Sequence, residues 1–306
     1  MSIIEKALDK QLSVNDASTS KQPESAASGN AEQTESIPER AGSVAATKAL
    51  TQQSFVEQGA QSSSRSVELD LADLERRHFV SLSPKRRVIN EEFSVIKRKL
   101  INNAFGPLSK SLKHSNLILV SSSRPGEGKT FTSINLALSI ALEQDKTVLL
   151  VDTDVLRPQV AKTLGIDSDL GLTDYLSSDD IDVQDIILST NVERLKLITA
   201  GRAHHLSTEL LASQKMADLA REFATRYKDR IVLFDAPPLL GVNETAVVAM
   251  MCGQAIIVLE ENRSKLSEIE QSIALIPPEI AVGFVINKAH RTQIGDYGYG
   301  YYYGGA

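Results

Sequence analysis

Residues 123 to 130 read Ser123-Arg124-Pro125-Gly126-Glu127-Gly128-Lys129-Thr130, a glycine-containing segment that ends in Lys-Thr. An apolar run, residues 116–120, precedes it, and an amphipathic run, residues 129–143, follows it, so the local order is strand, loop and helix. Glycines let successive backbone N–H groups converge on an anion, and the start of the helix adds the positive end of its dipole. The segment therefore predicts a phosphate-binding loop, or P-loop.

The loop matches the pattern G-x-x-x-x-G-K-[ST] at every position except the first, where Ser123 replaces glycine. In this pattern Lys129 reaches the β and γ phosphates of a nucleotide, and the Thr130 hydroxyl ligates Mg²⁺. We therefore expect a Mg²⁺-nucleotide site. The residues predicted to bind the nucleotide are Gly126, Glu127, Gly128, Lys129, Thr130, Phe131 and Asn287.

Short apolar runs alternate with amphipathic segments along the rest of the chain. After the first strand, further strands are predicted at residues 147–151, 195–199, 231–234, 255–259 and 282–286. Before them, Val88, Ile89, Phe93, Ile96 and Leu100 form an apolar stripe at helical spacing. This alternation predicts an α/β fold, a parallel sheet of the P-loop NTPase type with helices on both faces.

Ligands of such sheets bind beyond the carboxyl ends of the strands, where this chain carries several polar side chains. Asp152 and Asp154 follow the second strand, and a Mg²⁺-nucleotide site needs one acid for the metal's water shell and one to accept a proton. A strand-terminal turn is the alternative for this pair. Asp235 follows the strand at 231–234 as a Walker B acid would, while Asn287 fits either a contact to the nucleotide base or a simple turn.

Composition divides the chain into three parts. Residues 1–80 hold two aromatic side chains and are rich in Ser, Gln and Ala, which predicts a mostly disordered arm. Residues 1–12 carry Ile4, Leu8 and Leu12 at helical spacing and fit either a short docking helix or a frayed terminus. Residues 81–290 are the predicted P-loop domain, and residues 291–306 a flexible tail.

Several classes of protein are disfavoured by the sequence. Cys252 is the only cysteine, which excludes an internal disulfide and suits a reducing compartment. The formal net charge of -6 argues against a nucleic-acid partner. No uncharged apolar stretch is long enough to span a membrane. The basic groups at residues 85–87 and 97–99 fit a solvated helix face, or else a lipid- or partner-binding patch.

The tail contains five of the seven tyrosines in a chain without tryptophan. Glycines interleave these tyrosines and oppose both helix and strand, so we expect the phenols to be exposed and available as acceptors of a transferred group. The expected phosphate acceptors are Tyr297, Tyr299, Tyr301, Tyr302 and Tyr303.

Taken together, the GEGKT loop, Asp152-Thr153-Asp154, Asp235-Ala236-Pro237-Pro238 and the terminal tyrosines resemble the bacterial tyrosine kinases of capsule and exopolysaccharide systems, the BY-kinases. The resemblance covers about residues 85 to 306, and the first eight residues look like the exosortase-associated tyrosine autokinase branch. It implies a P-loop fold related to partition and septum-positioning ATPases, with ATP and Mg²⁺ as cofactors.

By this resemblance, Lys129, Asp152 and Asp154 are the expected catalytic residues, with Asp152 as the base toward tyrosine. Thr130, Asp154 and Asp235 are the expected metal-site residues. The chain departs from the family pattern at two places. The family often has Arg at the position of Leu156, so no role is assigned there. Family members also often carry a Glu-x-x-Arg-x-x-Arg pattern that supports ring assembly, and this chain has Glu91, Ser94 and Lys97 at those positions. Lysine does not replace the bidentate guanidinium.

The expected function is an ATP-dependent tyrosine autokinase that modifies its own tail in trans and regulates exopolysaccharide synthesis or export. The implied partners are a membrane-bound polysaccharide copolymerase as activator, further copies of the chain and a cognate phosphotyrosine phosphatase, at the cytoplasmic face of the membrane. The rival is a non-kinase ATPase switch of the partition or septum-positioning type. A third hypothesis for the function is a scaffold that binds nucleotide without turnover.

Overall fold

The computed structural model describes residues 65–84 and 87–290, in which eight strands and ten α-helices follow one another. The strands are β1 Ser66–Val67, β2 Leu117–Ser122, β3 Thr147–Asp152, β4 Leu188–Thr190, β5 Leu195–Ile198, β6 Arg230–Asp235, β7 Gln254–Glu260 and β8 Ala281–Asn287. The helices are α1 Leu71–Arg76, α2 Val88–Phe105, α3 Lys129–Ala141, α4 Val160–Leu164, α5 Leu172–Ser177, α6 Val183–Ile186, α7 Ser207–Leu211, α8 Gln214–Arg226, α9 Asn243–Ala249 and α10 Leu266–Ala274.

All eight strands form one sheet in the order β1-β4-β5-β3-β6-β2-β7-β8. Every pairing is parallel except that between β4 and β5, which is antiparallel. The predicted α/β fold with a parallel sheet is therefore confirmed, with the short strand β4 as the exception. The predicted strands also exist, most of them one or two residues longer than expected.

Both faces of the sheet are buried, because neighbouring residues of one strand enter different hydrophobic clusters. In β2, Ile118 and Val120 pack into one cluster with helices α2, α3 and α4, while Leu117 and Leu119 pack into the other with α5, α8 and α9. Alternate side chains of a strand point to opposite faces, so a near-continuous apolar strand requires two covering layers. This explains why the strands read as unbroken Val, Ile and Leu.

The prediction of a mostly disordered arm over residues 1–80 places the end of the arm too late in the chain. Residues 65–80 include β1 and α1, and they bury Leu69, Leu74, Phe79 and Val80 in the core. The Asp70 side chain caps α1 by accepting the Asp73 N–H at 2.8 Å. The average composition of the arm hid these few apolar positions. The possible N-terminal helix and the tyrosine tail lie outside the described residues.

The basic residues of α2 divide into buried and exposed positions. Lys97 is buried, with its Nζ atom 2.7 Å from Glu143 Oε1 and 2.9 Å from the Ser139 carbonyl oxygen to which it donates. Arg98 and Lys99 are exposed, as a solvated face requires. Lys97 is therefore a structural ion-pair partner and does not contribute to a surface patch. Within the described ranges, each helix is too short or too polar to cross a bilayer.

Candidate functional site

The P-loop joins β2 to α3 and has the backbone that its glycines were expected to allow. Gly126 and Gly128 have φ angles of 88° and 101°, which lie in the left-handed region that favours glycine. Ser123, the departure from the pattern, is fully buried and accepts a hydrogen bond from Ser272 Oγ of α10 at 2.9 Å. Its hydroxyl therefore ties the loop to the neighbouring helix.

Lys129 lies at the first position of α3 and points to the end of β3. Its Nζ atom donates to Asp154 Oδ2 at 2.6 Å, and both side chains are largely buried. Burial acts to lower the pKa of Lys129, but the carboxylates of Asp235 and Asp154 outweigh it and hold the pKa above its usual value. The sheet therefore brings together a charged lysine and the acids predicted to share its site.

Asp235 ends β6, and its carboxylate accepts hydrogen bonds from two hydroxyl groups of α3. Thr130 Oγ1 donates to Asp235 Oδ2 at 2.7 Å, and Ser133 Oγ donates to Asp235 Oδ1 at 2.8 Å. Burial raises the pKa of Asp235, against the effect of Lys129 and both hydroxyls. The predicted Walker B acid thus contacts the predicted magnesium ligand, Thr130, and can support it and the metal's water shell.

Asp152 ends β3 and is also fully buried. Its Oδ1 atom accepts the Asp154 N–H and its Oδ2 atom accepts the Val160 N–H, both at 3.1 Å. Burial and then the negative charge of Asp235 raise the pKa of Asp152 to about 8. A carboxylate that binds a proton this readily suits a general base, although its oxygens face the backbone of the following loop.

Glu127 points away from the centre of the loop. One carboxylate oxygen accepts the Arg124 N–H at 2.8 Å, and the other accepts the Ser264 hydroxyl. Arg124 in turn lies 2.9 Å from Glu268 of α10. The Glu127 side chain therefore braces the loop, and only its backbone can contribute to the predicted nucleotide site.

Two further predicted residues have surroundings that the sequence did not indicate. Asn287 Nδ2 donates to the Glu127 carbonyl oxygen at 2.9 Å, so this side chain contacts the P-loop. The Phe131 ring packs 4.9 Å from the Phe79 ring and 6.5 Å from the Phe93 ring, between centroids. The Phe131 side chain belongs to the core on that face of the sheet and leaves only its backbone for a nucleotide.

These residues fit a Mg²⁺-nucleotide. Mg²⁺ takes one or two protein oxygens plus phosphate oxygens and water, and does not need a complete cage of protein ligands. Correspondingly, residues 65–84 and 87–290 contain no group of three His, Cys, Asp or Glu side chains that could hold a metal alone. The Thr130 hydroxyl with Asp235 and Asp154 would hold the metal, and Lys129 with the loop amides would hold the phosphates.

Ser133, Ser264 and Lys288 complete the site and were missed in the sequence. Ser133 follows Lys129 by one helical turn and therefore lies on the same face of α3, a signal that was available. Ser264 and Lys288 gave no signal, since they reach the loop only through the packing of β7, α10 and β8 beside it. The tyrosines predicted as acceptors lie outside the described residues.

Comparison with protein families matches residues 115–277, more than half of the chain, to the family described as AAA domain. Among curated proteins, EpsB of Ralstonia nicotianae, assigned as a tyrosine-protein kinase, is 35% identical over 191 residues, which cover 62% of this chain and 25% of EpsB. The tyrosine-protein kinase CpsD of Streptococcus agalactiae is 31% identical over 191 residues, covering 61% of this chain and 82% of CpsD.

The chain thus spans about a quarter of the length of EpsB but most of CpsD. Among solved structures, the kinase domain of VpsO superposes with a TM-score of 0.54 at 26% identity, covering 64% of this chain and 93% of that domain. The resemblance to bacterial tyrosine kinases that was drawn from the motifs is confirmed by these relatives.

Proposed function

This chain belongs to the AAA domain family and to the bacterial tyrosine-protein kinases, and from this premise we propose that it is an ATP-dependent protein tyrosine autokinase. The acceptors are the tail tyrosines Tyr297, Tyr299, Tyr301, Tyr302 and Tyr303. The observation that carries this proposal is the convergence of Lys129, Thr130, Asp154 and Asp235 at one edge of the sheet. Lys129 and Thr130 begin helix α3, Asp154 lies just beyond β3, and Asp235 ends β6. They meet at the edge of the sheet where the phosphates of a nucleotide would bind.

In the proposed reaction a tyrosine oxygen attacks the γ-phosphorus of ATP. The bond from that phosphorus to the bridging oxygen breaks, ADP leaves, and the phenolic proton passes to Asp152. Lys129 stabilises the negative charge on the transferred group. When bound, Mg²⁺ would neutralise further negative charge on the phosphates. Thr130, Asp235 and Asp154 would hold it, and Asp154 also orients Lys129 through their ion pair.

Transfer between two copies of the chain is the arrangement we favour. Residues 289 to 306 extend up to roughly 60 Å at about 3.3 Å per residue, so the tail can reach a neighbour's site. Each phosphate adds up to about two negative charges, and several of them make the tail self-repelling. We therefore expect that self-association weakens after phosphorylation.

The cellular setting is proposed from the motif resemblance alone. It consists of regulation of exopolysaccharide synthesis or export, with a membrane-bound copolymerase as activator. A phosphotyrosine phosphatase would reverse the modification, and the chain would act at the cytoplasmic face of the membrane. The exosortase-associated branch remains a prediction from the first residues of the sequence.

The experiment is detection of phosphotyrosine on the purified full chain with Mg²⁺-ATP. We expect Lys129→Met to lower the signal by about 100- to 1000-fold, the effect of removing one stabiliser of transition-state charge. Asp152→Asn should also lose the signal, while the exposed Lys228→Met serves as the control. A signal that survives in Lys129→Met would contradict the assignment.

Removal of residues 297–306 separates the acceptor from the catalytic groups. We expect it to abolish self-phosphorylation, measured by intact mass, and to leave nucleotide affinity unchanged. Strong phosphate release with an unmodified tail would instead indicate a non-kinase ATPase switch. Nucleotide binding with neither product would indicate a scaffold.

A further inference from the structure

The end of β8 contacts the outer side of the P-loop through two consecutive residues. Asn287 Nδ2 donates to the carbonyl oxygen of Glu127 at 2.9 Å, and Lys288 Nζ donates to the carbonyl oxygen of Gly126 at 2.8 Å. These two carbonyls belong to neighbouring peptide units in the middle of the loop. Each is held by a side-chain N–H donor from the same short segment.

The planarity of the peptide unit turns these contacts into a constraint on the loop amides. In a trans peptide the C=O and N–H groups point in opposite directions. The Gly126 carbonyl shares its plane with the Glu127 N–H, and the Glu127 carbonyl shares its plane with the Gly128 N–H. Both N–H groups therefore point away from Asn287 and Lys288. In the described part of the chain, neither donates to a backbone carbonyl.

The position of Asn287 is fixed from both sides. It ends β8 opposite Glu260 of β7, and its own carbonyl oxygen accepts the Glu261 N–H at 3.1 Å. On the loop side, a Cβ atom at Gly128 would lie 1.9 Å from Asn287 Nδ2. The absence of a side chain at Gly128 is thus what lets the Asn287 amide reach the Glu127 carbonyl.

Lys288 is held in an unusual conformation that aims its ammonium group at the loop. Its φ angle is 57°, which lies in the left-handed region that residues other than glycine rarely adopt. Glu260 Oε2 lies 3.1 Å from Lys288 Nζ and steers the ammonium group toward the Gly126 carbonyl. The His290 N–H donates to Glu261 at 2.5 Å and fixes the chain beyond it.

We propose that Asn287 and Lys288 are positioning residues that orient the Glu127 and Gly128 amides toward the nucleotide phosphates. The inference rests on the proposed nucleotide binding. It differs from the expectation that Asn287 contacts the base, because the Asn287 amide donates an N–H to the loop carbonyl. The two residues act on the phosphates only through the peptide units that they hold.

The test is calorimetric binding of Mg²⁺-ADP, Mg²⁺-GDP and adenosine to the full chain carrying Asn287→Asp, Lys288→Met or Lys288→Arg. Asn287→Asp keeps the shape of the side chain but replaces its amide donor with a carboxylate, so Lys288→Met tests the same idea without adding a negative charge. Lys288→Met removes the donor of a partly exposed residue and tests the idea even if Asn287→Asp fails to fold. Lys288→Arg keeps a donor, and the exposed Lys228→Met is the matched control.

We expect Asn287→Asp and Lys288→Met each to weaken ADP binding roughly three- to tenfold, the range of one hydrogen bond. The ratio of ADP to GDP affinity and the affinity for adenosine should stay unchanged in these two variants. Lys288→Arg, which keeps a donor, should bind ADP about as tightly as the unaltered chain. A loss of base preference in Asn287→Asp would overturn the inference in favour of a base contact. Unchanged ADP affinity in Asn287→Asp and Lys288→Met would overturn it as well, with the proposed function intact. Absence of nucleotide binding to the unaltered chain would overturn both.

Discussion

Asp152 and Asp235 are register partners at the ends of the neighbouring parallel strands β3 and β6, and both are fully buried. Two carboxyl groups so placed cannot both ionise at low cost, since burial and mutual repulsion each favour the protonated form. Lys129 and the hydroxyls of Thr130 and Ser133 offset part of this cost on the Asp235 side. The ligand-free site therefore binds protons more readily than ordinary aspartates do.

The first prediction concerns how stability depends on pH. Burial and Asp235 raise the pKa of Asp152 to about 8, well above the value of about 3.9 in an unfolded chain. Between these pH values the folded state binds more protons than the unfolded state, so this group makes the ligand-free fold less stable as pH rises from about 4 to 8.

We expect Asp152→Asn to remove this dependence. The free energy of unfolding of the unaltered chain, relative to Asp152→Asn, should fall between pH 5 and pH 7.5 in urea titrations. The slope should stay below about 1.4 kcal/mol per pH unit, the limit for one full proton. Parallel pH profiles of the two proteins would show that Asp152 has an ordinary pKa.

The second prediction concerns Ser133, whose hydroxyl holds one oxygen of Asp235. Ser133→Ala should weaken Mg²⁺-dependent nucleotide binding roughly three- to tenfold, because Asp235 loses one of two hydroxyl partners that fix its orientation. Ser139→Ala changes another buried serine of α3, one that does not contact Asp235, and should bind normally. Calorimetric titration with and without Mg²⁺ measures both. Equal weakening in the two variants would point to a general effect on the helix.

The third prediction compares the two P-loop glycines with left-handed backbones. Alanine costs about 1 to 2 kcal/mol at either position because of the positive φ angle. At Gly126 a Cβ atom meets nothing within 4 Å, whereas at Gly128 it would lie 1.9 Å from Asn287 Nδ2. We expect Gly128→Ala to reduce ADP affinity more than Gly126→Ala does. The reverse order would contradict the described packing of Asn287 on the loop.

The fourth prediction concerns the ion pair between the buried Lys97 and the partly exposed Glu143. Lys97→Met keeps the apolar stem but leaves the Ser139 carbonyl without this donor, so the free energy of unfolding should fall by about 1 to 3 kcal/mol. Lys99→Met, an exposed change on the same helix, should fall within about 0.5 kcal/mol of the unaltered chain. Urea titration measures the free energy of unfolding of both variants. Similar losses in Lys97→Met and Lys99→Met would mean that the Lys97–Glu143 ion pair is solvated.

The same pair bears on self-association. Lys97 occupies the last position of the pattern that supports ring assembly in related kinases, yet its ammonium group is engaged within its own subunit. To reach a neighbour it would have to give up Glu143 and the Ser139 carbonyl. A ring interface that used Lys97 would therefore lose these two contacts.

The fold class and the chemical centre of the site can be predicted from the amino-acid sequence alone. The glycine spacing and Lys129-Thr130 specify an anion-binding loop, because few other residues permit that backbone or supply that charge. Unbroken apolar strands alternating with helices specify a sheet covered on both faces. Because parallel strands end at one edge, the sequence alone predicts that Asp152, Asp154 and Asp235 lie near the loop.

Which side chains contact one another depends on the packing of segments that are distant in the chain. Thr130 and Asp235 lie 105 residues apart in the chain, and Asn287 and Glu127 lie 160 apart, so strand register and helix packing set these contacts. The same holds for Phe79, which the average composition placed in a disordered arm and the structure buries beside Phe131. Local pattern fixes the backbone of a segment, but the direction of a side chain depends on the distant segment that it packs against.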